Sequence, residues 1–424
     1  MVWILFYNLF IRIFIIAIRL AALFGGKPRK WIAGRKDWES TLQLKLKGIR
    51  KTSDHKLVWL HASSVGEFEQ GKPILKALKA QYPDLLAIVS FFSPSGYEAS
   101  ENDSVADLVC YLPSDTPYNA RQFINILKPD LVIWVKYEYW YHFLFNLHHK
   151  AIPTLLVSAI FQKDQIFFKW YGMLHRKMLK FFTHLFLQNK DSAANLSPLL
   201  NTAAITVAGD TRFDRVLEIM QSFTPIPEIA SWLQNAKRVL VAGSTWPEDE
   251  KMIAALGENS GNLTIIIAPH HVDKSSLQKT DILFPKSIRM STLLKNEPFT
   301  PGKILIADTI GHLSKLYYYA TISYVGGGFS ATGIHNILEP AVYGRPVLFG
   351  PKFKNYAEAE GLIQAGGGFS VKTSEEFRMH LESLFSQKDL YEDVALKAAT
   401  FIKEHTGATY AVINYIYKNR LLTR

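Results

Sequence analysis

Two doubly wound α/β domains facing a cleft are what this sequence predicts. Three observations carry the prediction. Short β-branched runs alternate with helically spaced apolar residues through both halves, several of those runs end in small or glycine-rich turns, and the proline-bearing segment Phe223-Thr224-Pro225-Ile226-Pro227 separates the halves. No internal repeat or low-complexity tract interrupts the alternation. At 424 residues the chain is long enough for two full cores, and 48% hydrophobic with 20% charged residues is globular rather than disordered.

The formal net charge of +11 favours anionic partners: nucleic acid, anionic lipid or phosphorylated substrates. A single cysteine, Cys110, permits no intramolecular disulfide or cysteine-based metal site and fits a reducing compartment. His148-His149 and His270-His271 are adjacent pairs that diverge on regular structure, so no metal site is expected.

Residues 1–24 are almost wholly apolar, interrupted by Asn8, Arg12 and Arg19, and match the roughly 20 residues of a bilayer-spanning helix. Two arginines inside the run require snorkelling or a helix lying at the interface. Lys27, Arg29, Lys30, Arg35 and Lys36 follow, a flank that the positive-inside rule keeps in the cytoplasm. The segment lacks a small-residue cleavage site followed by a neutral mature start, so 1–24 reads as a retained anchor, spanning or interfacial.

In the first domain, a strand over residues 56–62 leads through Ser63-Ser64-Val65-Gly66-Glu67 into a helix. Such a turn displays Glu67 at the C-terminal edge of a parallel sheet, where open α/β folds bind ligands and where an ionised carboxylate can take a proton from an attacking hydroxyl. A first-turn glutamate also steadies its own helix dipole. Further strands are expected over 85–92 and 131–135, the latter followed by Lys136-Tyr137-Glu138. Residues 161–188 interleave aromatics with bases, a pattern that suits a lipid interface, single-stranded nucleic acid, or an amphipathic helix with a core-facing aromatic side.

In the second domain strands are expected over 238–242, 263–268 and 304–307, followed by the stretch 324–361. There Tyr324-Val325-Gly326-Gly327-Gly328-Phe329 precedes Gly333-Ile334-His335-Asn336-Ile337-Leu338-Glu339-Pro340-Ala341, then Gly344-Arg345-Pro346-Val347 and Gly350-Pro351. This reads as strand, tight loop and helix N-terminus, a place where unpaired N–H groups attract phosphate and glycines allow close approach, with Glu339 available to sugar hydroxyls. Residues 389–418 read as one closing helix.

The order of these segments resembles the bacterial 3-deoxy-D-manno-octulosonic acid (Kdo) transferases, glycosyltransferases of the GT-B type. His61-Ala62-Ser63-Ser64-Val65-Gly66-Glu67, Ser93-Pro94-Ser95-Gly96, Pro113-Ser114-Asp115, Lys128-Pro129-Asp130, Gly209-Asp210-Thr211-Arg212-Phe213-Asp214, Gly243-Ser244-Thr245, Pro269-His270-His271 and the 324–361 stretch follow the family's order over about nine-tenths of the chain. The resemblance implies CMP-Kdo as donor, lipid IVA as acceptor, inversion at the anomeric carbon without metal or cofactor, and a place on the cytoplasmic face of the inner membrane, with no nucleic acid. It assigns Glu67 as general base, Glu138 and Arg212 as stabilisers of the transition state, and Pro269, His270, Ile310, Gly311, His312, Asn336, Ile337, Leu338 and Glu339 as the CMP site. The sequence departs from the family at Lys136 and His312, where glutamates are usual, at His270, where arginine is, and at Arg212, where lysine is. The domains implied are an anchor over 1–30, an acceptor domain over 31–222, a donor domain over 223–400 and a terminal helix over 401–424 that returns to the acceptor domain. Two other classes remain: a GT-B enzyme using a UDP-sugar on another lipid, and a non-catalytic membrane-surface or nucleic-acid binding protein.

Overall fold

The computed structural model describes residues 2–50, 55–136, 138–256, 262–295, 297–298 and 302–423; Tyr137 lies outside them. The chain forms two compact units, Met1–Arg215 with Gly407–Arg424, and Val216–Thr406. The changeover falls inside the helix Thr211–Gln221, a few residues before the proline segment. That segment is docked, not loose: Phe223 stacks on Tyr318 at 4.1 Å and Ile226 N donates to the Tyr319 hydroxyl at 2.7 Å.

The first unit is built on a parallel sheet of β1 (Leu57–Ala62), β2 (Leu86–Phe91), β3 (Leu108–Tyr111), β4 (Leu131–Val135), β5 (Thr154–Ala159), β6 (His184–Leu187) and β7 (Ile205–Val207), in the order β3-β2-β1-β4-β5-β6-β7. Because strand side chains alternate, Leu57, Trp59, Val132 and Trp134 pack into one apolar layer while Val58, Leu60, Leu131 and Ile133 pack into the other. Both faces are covered, which is why the strands read as continuous apolar runs. The expected closing helix is two, Lys388–Glu404 and Ala408–Lys418, broken at Gly407, whose φ of 115° an L side chain rarely adopts. The last helix supplies Val412 and Ile416 to the first unit's second layer, and Asp214 caps it by accepting from Gly407 N and Thr409 N, each at 2.6 Å.

The helix Val2–Ala22 turns one stripe toward the first unit. Ile4 and Tyr7 pack on the core, Ile11 is 2% exposed, and Phe14 meets Trp31 and Phe92. Asp115 fixes this stripe: it accepts from the Tyr7 hydroxyl and from His142 N and Phe143 N, while Asn8 Oδ1 faces His142 Nε2 at 2.6 Å. Burial pushes the Asp115 carboxyl up to about 7. The opposite side of the helix leaves Leu5, Phe6, Leu9, Phe10, Ile13 and Ile16 exposed. Arg35, expected in the basic flank, is instead half-buried among the Trp31, Phe92 and Tyr111 rings and donates to three carbonyls. Burial lowers it to about 9. The 161–188 stretch divides: Phe161, Phe167, Phe181 and Phe182 are core, whereas Trp170, Tyr171 and Met173 are exposed.

The second unit holds a second parallel sheet of β8 (Arg238–Thr245), β9 (Leu263–Pro269), β10 (Ile288–Arg289), β11 (Ile304–Ile306), β12 (Ile322–Val325), β13 (Val347–Phe349) and β14 (Gly368–Ser370), ordered β10-β11-β9-β8-β12-β13-β14. Its core gathers Leu240, Ile265, Ile267, Tyr324, Leu348 and Phe377.

Candidate active site

In the first sheet the strand order reverses between β1 and β4, the place where doubly wound folds leave a crevice beyond the strand C-termini. Glu67 follows β1 and Glu138 follows β4, so the two carboxylates flank that switch point. Ser64 caps the helix Val65–Gln81, its Oγ accepting from Glu67 N at 3.4 Å. The half-exposed Glu67 side chain folds back over the cap, where its Oε2 accepts from Ser63 N and the Ser63 hydroxyl. These neutral donors fix one oxygen, and among the described residues no cation pairs with it.

Glu138 is 18% exposed and is held more elaborately. His61 Nε2 lies 2.8 Å from its Oε2, and Trp140 Nε1 donates to the same oxygen at 3.0 Å. Between β4 and Glu138, Lys136 adopts a φ of 58°, a sharp reversal that ends the strand. His61 is a motif residue whose partnership with Glu138 the sequence did not disclose; they stand 77 positions apart.

Arg212 Nε donates to Asp210 Oδ2 at 2.7 Å, and Arg212 N donates to Oδ1 at 2.9 Å. The buried Asp210 also accepts from Gln70 Nε2 at 3.2 Å. Gln70 is one helical turn beyond Glu67, so this relay brings Arg212 to the helix that carries Glu67. Glu69 on the same helix accepts from Arg215 Nε at 2.8 Å.

In the second sheet the order reverses between β8 and β12. Asp249, fully buried, ties the turns after these two strands together: Oδ2 accepts from Trp246 N and Gly327 N, both at 2.9 Å, and Oδ1 from the Tyr324 hydroxyl at 2.6 Å. Burial raises its pKa against those hydrogen bonds. The glycines do something different from the expected phosphate cradle. A Cβ on Gly326 would lie 2.3 Å from Ser244 O, and one on Gly328 would lie 2.5 Å from Gly350 Cα. The absent side chains admit neighbouring backbone, not ligand.

The helix expected after this loop is only four residues, Leu338–Ala341. Asn336 organises its start: Oδ1 accepts from Leu338 N at 3.2 Å and Nδ2 donates to Glu339 Oε1 at 3.1 Å. Ile337 and Leu338 have fully buried side chains, so what they can offer a ligand is backbone. Pro269 ends β9, and His270 N donates to Thr245 O at 2.9 Å. The His270 ring stacks on Trp246 at 5.0 Å and on His335 at 4.4 Å, while Trp246 Nε1 donates to His335 Nε2 at 3.0 Å. Burial, with His270 and His271 beside it, brings His335 down to about 4. His270 is also lowered, by burial and then by His271. Pro269, His270 and Asn336 thus come to one edge through β9 and the segment after β12. The loop of Ile310, Gly311 and His312 follows β11 at the same edge of the sheet; Ile310 is 84% exposed, Gly311 has a φ of 87°, and His312 Nδ1 faces Thr309 Oγ1 at 3.1 Å. Among the described residues no cluster of three His, Cys, Asp or Glu side chains is arranged to hold a metal ion.

A family profile described as "3-Deoxy-D-manno-octulosonic-acid transferase (kdotransferase)" matches residues 37–215. A 3-deoxy-D-manno-octulosonic acid transferase of Haemophilus influenzae is 24% identical over 375 residues, 85% of this chain and 86% of that protein. A bifunctional glycosyltransferase/methyltransferase of Fusobacterium nucleatum is 26% identical over 354 residues, 80% of this chain and 54% of that protein, so the chain spans about half of that relative's length. Among solved structures, a UDP-GlcNAc 2-epimerase of Neisseria meningitidis bound to UDP-GlcNAc has a TM-score of 0.62 at 15% identity, covering 86% of this chain and 100% of the other. At that identity the likeness speaks to the fold alone.

Proposed function

We propose that this chain, which is similar to 3-deoxy-D-manno-octulosonic acid transferases over most of its length, transfers Kdo from CMP-Kdo to lipid IVA in lipopolysaccharide biosynthesis, by a single displacement that inverts the anomeric carbon. The observation that carries this reading is Glu67 itself, a carboxylate at the sheet's switch point with one oxygen held by Ser63 and, among the described residues, no cation paired to it. Glu67 takes the proton of the acceptor hydroxyl as its oxygen attacks the anomeric carbon. The bond from that carbon to the phosphate oxygen breaks, and CMP leaves with the electron pair. Glu138 and Arg212 stabilise the oxocarbenium character that develops on the sugar. Pro269, His270, Asn336, Glu339 and the backbone of 310–312 and 337–338 hold CMP. The apolar outer side of the helix Val2–Ala22 and the exposed Trp170 and Tyr171 bring the protein to the cytoplasmic face of the inner membrane, where the acceptor resides.

The test is incubation of purified protein with lipid IVA and freshly generated CMP-Kdo, followed by mass spectrometry of the lipid. The lipid is expected to gain the mass of Kdo, and Glu67→Gln is expected to lose transfer by about 10³-fold with CMP binding retained. An unchanged lipid mass overturns the reading, as does full activity in the variant or tighter binding of UDP than of CMP.

A further inference from the structure

His61, Ser90 and Trp134 stand directly opposite one another on β1, β2 and β4, so strand register alone assembles them. His61 and Ser90 are fully buried. Trp59 Nε1 donates to Ser90 Oγ at 2.8 Å, His61 Nδ1 lies 2.9 Å from the same Oγ, and His61 Nε2 lies 2.8 Å from Glu138 Oε2. The Trp134 ring closes over the imidazole at 4.4 Å, and its Nε1 donates to the Glu138 carbonyl.

The proton count along this chain is restrictive. Trp59 can only donate, so Ser90 Oγ receives that bond and keeps its own hydroxyl proton for another acceptor. Nδ1 also lies 3.2 Å from the Ser90 carbonyl, but the Glu138 carboxylate can only accept, so Nε2 carries the ring proton, and in the neutral imidazole Nδ1 is then the acceptor that takes the Ser90 hydroxyl proton. With Trp140 on the same atom, both side-chain donors converge on Oε2, and Oε1 makes no hydrogen bond among the described residues. A carboxylate serving only to knit the fold gains from satisfying both oxygens; this one is fixed from behind and leaves a face open.

Resting on the transferase reading above, we propose that His61 is the positioning residue for Glu138, with Ser90 fixing the imidazole tautomer so that Nε2–H donates to Oε2 and Oε1 is presented to the reacting sugar. The arrangement converts a solvent-edge glutamate into a preoriented one, and misplacement of such a group by about 1 Å costs on the order of 10²-fold.

The variants are His61→Gln, whose amide nitrogen reaches the Nε2 position, His61→Leu, which keeps bulk without the donor, Ser90→Ala, and each histidine variant combined with Glu138→Ala. Transfer is followed by mass spectrometry of the lipid, and folding by thermal unfolding. His61→Leu is expected to lower kcat about 100-fold with KM for the donor within about twofold, and His61→Gln to recover to within about fivefold of the wild type. In the Glu138→Ala background His61→Leu is expected to add nothing, the mark of two residues acting as a unit. If His61→Leu does not fold, Ser90→Ala carries the test, with a loss of about tenfold in kcat that also vanishes in the Glu138→Ala background. Equal losses in His61→Leu and His61→Gln, a loss confined to KM, or full multiplicative losses in the double variants overturn the assignment of His61 while leaving the transferase reading standing. A wild-type protein that transfers nothing overturns both.

Discussion

His270 stands where the resemblance places an arginine, and its ring is stacked between Trp246 and His335. Burial and His271 lower its pKa, so near neutral pH it offers no positive charge to a phosphate. His335, brought to about 4, is neutral as well. Protonation adds the charge that a phosphate binds, so CMP affinity is expected to rise as pH falls from 7 through the histidine range, and His270→Arg is expected to tighten CMP binding about tenfold at pH 7 and to flatten that dependence. Calorimetric titration of CMP between pH 5 and 8 checks both statements. The folded state responds the other way: a buried neutral histidine contributes stability that is full above pH 6.5 and is lost as pH falls toward 4. Residue types in short ordered motifs singled out Glu67, Glu138 and Arg212 as candidates. The partners that orient them were not, because His61 meets Glu138 across 77 positions and Trp246 meets His335 across 89.

The loop that follows β12 shows why local signals mislead about elements. Three glycines after a β-branched run suggest room for a ligand, yet Gly328 and Gly350 pack backbone to backbone and Asp249 occupies the Gly327 N–H. Replacing Gly328 by alanine is expected to destabilise the second unit by about 1–3 kcal/mol, since neither backbone can withdraw from a 2.5 Å approach without shifting a strand end. Urea unfolding of the variant measures it. Strands such as β1, β2, β4, β8 and β9 were read because strands buried on both faces are continuously apolar; β3, β5 and β6 were not, and neither were helix extents. The final helix breaks at Gly407, and the helix after the glycine loop is one turn long, the chain reaching Gly344, with φ of 63°, three residues past its end.

At the scale of the molecule, the helix Val2–Ala22 is two-sided in an unusual sense, with apolar residues on both sides and only one side satisfied by protein. Tyr7 and Asn8 secure the inner side to Asp115 and His142, leaving Leu9 and Ile13 outward. A helix fastened along its flank suits a place in the lipid interface. Leu9→Asp with Ile13→Asp is expected to move the protein from the floating to the soluble fraction in flotation with anionic phospholipid vesicles, with an unchanged thermal midpoint. Persistence on the vesicles would assign attachment to another surface. Sequence composition revealed the greasy run but not the grip of Asp115 upon it.

The last helix has a consequence for biosynthesis. Val412 and Ile416 complete an apolar layer whose other members, such as Leu60 and Leu75, leave the ribosome hundreds of residues earlier. The nascent first unit therefore waits with that layer uncovered while the whole of the second unit is made, and a premature stop before Gly407 strands it in that state. Its completion waits on the synthesis of residues 407–424 rather than on that of its own N-terminal segment, and until then the apolar layer stays open to aggregation.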